Sequence, residues 1–150
     1  LKYVDEFEKL NLKKDSDIMH LIGIYTYYER LGDLHKEILE RYEEAQSYEF
    51  DVKPFRDYYT LVSRMILETF EGFKNYENTL KIIRGRREHE KWSSYENGKL
   101  IEAKTKMKEY ILSLDEPALI RHLTIMEGKL RAIPDLCSNI CELIYNMRRY

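Results

Sequence analysis

The sequence predicts an all-α protein made of long amphipathic helices, and three observations carry that prediction. Apolar residues recur at steps of three and four along most of the chain, the period of a helix face rather than the alternation of a strand. Proline and glycine are scarce, 3 and 6 in 150 residues, so few points interrupt helix growth. Hydrophobic residues make up 43% and charged residues 35%, a mixture that suits helices with wet outer faces and not a disordered chain. A chain of 150 residues fits one domain, 1–150, with a useful core.

In chain order, Tyr3, Val4, Phe7 and Leu10 are spaced as the end of a helix begun upstream, and a chain opening on Leu1 reads as a piece of a longer protein. Asp15 and Ser16 then offer an N-cap. Behind them Ile18, Leu21, Ile22, Tyr25, Tyr28, Leu31, Leu34, Ile38, Leu39 and Tyr42 predict a helix over about 16–46. The stretch from Tyr48 to Lys53 breaks it, and Pro54 suits the first turn of a new helix. From there Tyr58, Leu61, Val62, Met65, Ile66, Thr69, Phe73, Tyr76, Leu80 and Ile83 continue the stripe. After a thin stretch Trp92, Tyr95, Leu100, Ala103, Met107, Tyr110, Ile111 and Leu114 resume it.

Two readings of Arg84 to Lys99 compete. Gly85, Gly98 and the Ser93-Ser94 pair read as a loop between two shorter helices. Against that, a single glycine costs only about 1 kcal/mol in a helix, and Arg86 to Lys91 are acceptable helix formers. The favoured expectation is one helix over 54–114, roughly 90 Å long at about 1.5 Å per residue. Such a rod needs a partner to cover its apolar stripe. Asp115, Glu116 and Pro117 end it, because proline removes a donor and crowds the preceding turn. Leu119, Leu123, Met126, Leu130, Ile133, Cys137, Ile140, Ile144 and Met147 form the last stripe, over 117–150, with Pro134 predicted to kink it without stopping it.

Little in the sequence looks like a catalytic centre, and no enzymatic activity is expected. The four histidines are scattered, and none has a Glu three residues before it, the spacing of a helical di-metal site. Neither metal nor cofactor is expected. Phosphate-loop and nucleophile-elbow motifs are absent. Cys137 and Cys141 share a helix face at a spacing that strains a disulfide, so they read as buried free thiols, suited to a reducing compartment. The longest uncharged run, Ile18 to Tyr28, is too short to span a bilayer. Thirteen tyrosines, many on the apolar stripes, read as packing residues and not as stacking platforms for bases.

Charge is where a surface function shows. The net charge is −2, which argues against a general affinity for nucleic acid. Its distribution is uneven: residues 29–57 hold nine acids and five bases, net −4, and residues 74–108 hold ten bases and five acids, net +5. Arg84, Arg87 and Lys91 are spaced to share a helix face, as are Lys104 and Lys108. A solvated helix face explains them blandly. A docking surface for anionic lipid headgroups is the sharper reading, each cation being worth about 1 kcal/mol near a membrane.

The run from Phe55 to Tyr110, with Tyr58, Leu61, Phe70, Phe73, Tyr76 and Leu80 leading into Arg84, Arg86, Arg87 and Trp92 and then Leu100, Ala103 and Lys104, resembles the second helix of BAR domains, most of all the sorting-nexin type. Leu31-Gly32-Asp33-Leu34 resembles the end of that family's first helix. The resemblance implies long antiparallel helices in an elongated three-helix coiled coil that forms a homo- or heterodimer. It implies a membrane-curvature scaffold of endosomal sorting, cytoplasmic and peripheral to an anionic phospholipid surface. Membrane contact would fall to Lys81, Arg84, Arg86, Arg87, Lys91, Lys104, Lys106 and Lys108. The dimer interface would draw on Leu31, Leu34, Tyr58, Leu61, Met65, Phe73 and Tyr76. The alternative, drawn from the thin stripe after Ile83, is a compact four-helix bundle that serves as a protein–protein interaction module.

Overall fold

The computed structural model describes residues 15–72 and 94–148. The described residues form four helices and no strands: α1 Asp15–Ala45, α2 Lys53–Gly72, α3 Ser94–Leu112 and α4 Pro117–Arg148. The all-α class is as the sequence predicts, and α1 falls within a residue of its expected span at each end.

Local chemistry sets the helix ends. After α1, the Gln46 amide still reaches the Tyr42 and Glu43 carbonyls, and Tyr48 bonds back to Ala45. The Asp51 side chain then accepts the Lys53 amide at 3.0 Å, satisfying one of the donors that a helix start leaves free. Glu116 plays that part for α4: its carboxylate accepts the Ala118 amide and its carbonyl the Ile120 amide. Pro117 sits at the first helical position, where its missing N–H costs nothing. Pro134 lies inside α4 without ending it.

The four helices run alternately up and down. α1 is antiparallel to α4: Arg41 meets His122, Glu37 meets Lys129 and Gly23 faces Leu143. α3 is antiparallel to α2: Asp51 and Asp57 share a groove with Glu102 and Lys106, and the Tyr110 hydroxyl accepts the Asp51 amide at 2.6 Å. α4 packs against all three other helices, most extensively α1. The core therefore gathers on α4, where Met126, Leu130, Ile133, Cys137, Ile140 and Cys141 have no exposed surface. Leu31, Leu34 and Ile38 of α1, Tyr58, Val62 and Met65 of α2, and Met107 of α3 close over them.

This arrangement corrects the expectation of one helix over 54–114. A straight helix over 54–114 puts residues 57 and 102 roughly 68 Å apart, yet both line one groove between α2 and α3. The chain returns between α2 and α3, and in the described part of that stripe Tyr58, Val62, Met65, Ala103, Met107 and Ile111 are buried in the chain's own core. Residues 73–93, which include Gly85, lie outside the described residues. α3 also stops at Leu112, where the Ser113 hydroxyl takes the Tyr110 carbonyl and the Leu114 amide turns back to Ile111.

One buried polar pair crosses from α1 to α2. Thr69 is wholly buried and donates its one hydroxyl proton to the Ile66 carbonyl at 2.6 Å, so the Tyr28 phenol, 2.7 Å away, is the donor to Thr69. Burial pushes the Tyr28 hydroxyl up to about 12, so it keeps that proton. Tyr28 also stacks face to face on Phe70 at 4.8 Å. Two glycines of α1 give a local test. A Cβ at Gly32 meets nothing within 4 Å, so Gly32→Ala is expected to stabilise the fold by about 0.5–1 kcal/mol in urea titration. A Cβ at Gly23 meets Leu143 at 2.9 Å, so Gly23→Ala is expected to gain less, because the leucine must give way.

Candidate functional site

The basic cluster expected to meet lipid divides into two parts. Lys81, Arg84, Arg86, Arg87 and Lys91 lie outside the described residues. Lys104, Lys106 and Lys108 lie on α3, but not on one face. Lys106 turns toward the groove with α2 and pairs with Glu102 at 2.8 Å. That contact holds the Glu102 carboxyl below its usual range and the Lys106 amine above it. Lys104 and Lys108 instead share an outward line with Ile101 and Leu112, at steps of three, four and four. Ile101 is 52% exposed and Leu112 84%. α3 is thus apolar on both sides: Leu100, Ala103, Met107 and Ile111 face the core, while Ile101 and Leu112 face out.

The residues expected at a dimer interface are used within the chain. Leu31, Leu34, Tyr58 and Met65 are buried against the core, and Leu61 is half-buried beside it. Leu31, Leu34, Tyr58 and Met65 thus pack within the chain, while Leu61 also lines the open groove between α2 and α3. Phe73 and Tyr76 lie outside the described residues.

Cys137 and Cys141 are free and buried, as their spacing predicts. Burial raises both thiols, Cys137 to about 12, so neither carries the thiolate that a nucleophile needs. Among the described residues no three metal-capable side chains come together, and no helix is long and apolar enough to cross a membrane.

Most of the described histidines and tyrosines are structural. At the end where α1 meets α2, Tyr42 packs on Phe50 and Phe55, and Phe55 on Tyr59. The Tyr59 hydroxyl lies 2.9 Å from His35 Nδ1. His122 sits between Tyr48, Arg41 and Glu44. Burial lowers the His35 pKa from its ordinary 6.5, so the neutral ring, accepting from Tyr59, is the native form. The unfolded chain then binds the extra proton, and stability falls as pH drops below 6.5, levelling off below the lowered pKa. His35→Gln is expected to flatten that part of the stability–pH curve, read as the difference in urea midpoint between the variant and the parent chain at a series of pH values.

Between the start of α2 and α3 lies an open groove of about 390 Å³. Asp51, Asp57, Glu102, Lys53, Lys99 and Lys106 line it, with acids and bases on both walls. Three acids against three bases give no preference for a ligand of either sign.

An exposed apolar surface lies on α1 and α2, and the sequence reading missed it by assigning Ile22 and Tyr25 to the buried stripe. Met19, Ile22 and Tyr25 step along the outer face of α1, at 67%, 47% and 43% exposure. On α2, Leu67 and Phe70 are also exposed, and the Tyr28–Phe70 stack joins the two helices there. The uncharged run Ile18 to Tyr28 was the signal. Eleven residues without a charge cover every side of a helix, and only one side can face the core. Further along α1 the same outward line turns acidic, through Glu29, Asp33, Glu40 and Glu43, with Lys36 the one base on it. No family model, curated protein or solved structure matches this chain.

Proposed function

We propose that this chain is a non-catalytic helical module that docks another protein on the outward face of α1 and α2. The observation that carries the reading is the run of exposed apolar side chains Met19, Ile22, Tyr25, Leu67 and Phe70 on two adjoining helices whose inner faces are already packed. Single exposed apolar residues are ordinary on a protein surface, but several on two helices that pack together through the Tyr28–Phe70 stack favour a contact surface. The acids beside it disfavour an anionic membrane as the occupant of this face. Selection of peptides from a random library tests the reading. Binders enriched on the parent chain should lose binding on the variant Ile22→Glu/Leu67→Glu, whose helicity should be unchanged because both positions are exposed. Binders that hold the variant equally well would contradict it.

A peripheral-membrane role, in the manner of a BAR-type curvature scaffold, is the second reading, and the outer line of α3 favours it. Ile101 and Leu112 flank Lys104 and Lys108, the pairing of apolar and cationic groups that suits anionic lipid. The dimer and endosomal setting that the BAR resemblance implies go with this reading. It predicts co-sedimentation with phosphatidylserine vesicles that weakens with salt and is lost in Lys104→Glu/Lys108→Glu. If the charge reversal leaves sedimentation unchanged, the α3 face is not a lipid contact.

A further inference from the structure

We infer that the occupant of the α1 face is a basic amphipathic helix of a partner protein, apolar at one end and cationic at the other. The inference rests on the docking reading above and specifies the partner's chemistry. The face itself is graded. Met19, Ile22 and Tyr25 occupy its first two turns, and Glu29, Asp33, Glu40 and Glu43 its remaining turns, where Leu39 is the one exposed large apolar side chain beside them.

Charge decides the sign of the partner. Along α1 the acids nearest the packed interface are neutralised: Glu37 receives Lys129 at 2.8 Å and Arg30 at 3.6 Å, and Glu44 lies beside Arg41 and His122. The four outward acids have no such contact with a described base. Four acids against Lys36 leave this line at −3. The inward pairs therefore fix α1 on α4, while the outward acids leave a field that attracts cations and repels an acidic partner.

Spacing decides the shape. Ile22 lies seven residues before Glu29 and eleven before Asp33, which puts all three on one straight line of the helix surface. A second helix laid along that line packs its apolar residues against Ile22 and Tyr25, and its arginines, seven and eleven positions away, reach Glu29 and Asp33. An extended strand has no edge to join here, since the described residues contain no sheet.

Two synthetic helical peptides test this against the 150-residue chain by fluorescence anisotropy. One carries leucines at the spacing 1, 4 and 8 followed by arginines at 11 and 15; the other has glutamates in place of the arginines. Each is also made in reversed sequence, to allow either direction along α1. The expected result is that an arginine peptide binds, and that its affinity falls at least tenfold in Glu29→Lys/Asp33→Lys. The glutamate peptide should bind that variant in preference to the parent chain. Indifference to the sign of the peptide, or an unchanged affinity for the charge-reversed protein, overturns the inference. So does sedimentation showing that the chain alone forms a dimer which Glu29→Lys/Asp33→Lys disperses, because the occupant is then a second copy. If library peptides of any charge bind and Ile22→Glu/Leu67→Glu releases them, the docking reading stands and only the basic partner falls.

Discussion

Leu130→Ala is expected to cost about 3 kcal/mol of unfolding free energy, a large share of the roughly 5–15 kcal/mol that a domain this size commands. Leu130 has no exposed surface and sits midway along α4, the one helix that packs on all the others. Truncation removes the transfer energy of the leucine side chain and leaves a cavity with walls on several helices, so no single element can collapse into it. The matching control is Leu112→Ala on α3, which is 84% exposed and should change stability by less than about 0.5 kcal/mol. Urea titration followed by circular dichroism reads both. A change at Leu130 no larger than at Leu112 would mean that α4 does not hold the core.

The second large effect is kinetic. Disulfide-exchange reagents attack thiolate, and burial moves the Cys137 thiol from an ordinary 9.0 to about 12, with Cys141 raised further. Three pH units cut the thiolate fraction about a thousandfold at a mildly alkaline pH. Burial adds an obstacle to access, since neither side chain has exposed surface. Labelling of the native chain by an aromatic disulfide reagent should therefore be at least about a thousandfold slower than in urea, and it should accelerate in step with unfolding. Native labelling within tenfold of the unfolded rate would show that the cysteine face of α4 is open.

Much of the fold was legible because helix patterning is local. The entry to α4 followed from Glu116 and Pro117, and Cys137 and Cys141 were read correctly as core thiols from their spacing. The error lay in the covering of the stripes. A period of three to four says that a face is buried but not by what. Tyr58 and Met65 were expected at a dimer interface, whereas both are buried in the chain's own core. Helix propensity misled in the same direction: glycines at 85 and 98 cost too little to end a helix, and the good helix formers from Arg86 to Lys91 outweighed Ser93-Ser94, the second of which opens α3. The outward apolar face of α1 was hidden because a run without charges gives no direction. Only the packed structure tells Leu21 and Ile24, which are buried, from Met19 and Ile22, which are not.

The return of the chain between α2 and α3 is the claim on which the rest depends, and one distance tests it. Spin labels attached through Asp57→Cys and Glu102→Cys, both positions lining the groove between the two helices, report that distance by pulsed electron resonance, while the buried native thiols stay unlabelled. The folded-back arrangement predicts a narrow distribution below about 25 Å, allowing for the label arms. One straight helix through both positions puts them roughly 68 Å apart, and a distribution centred there would contradict the fold described.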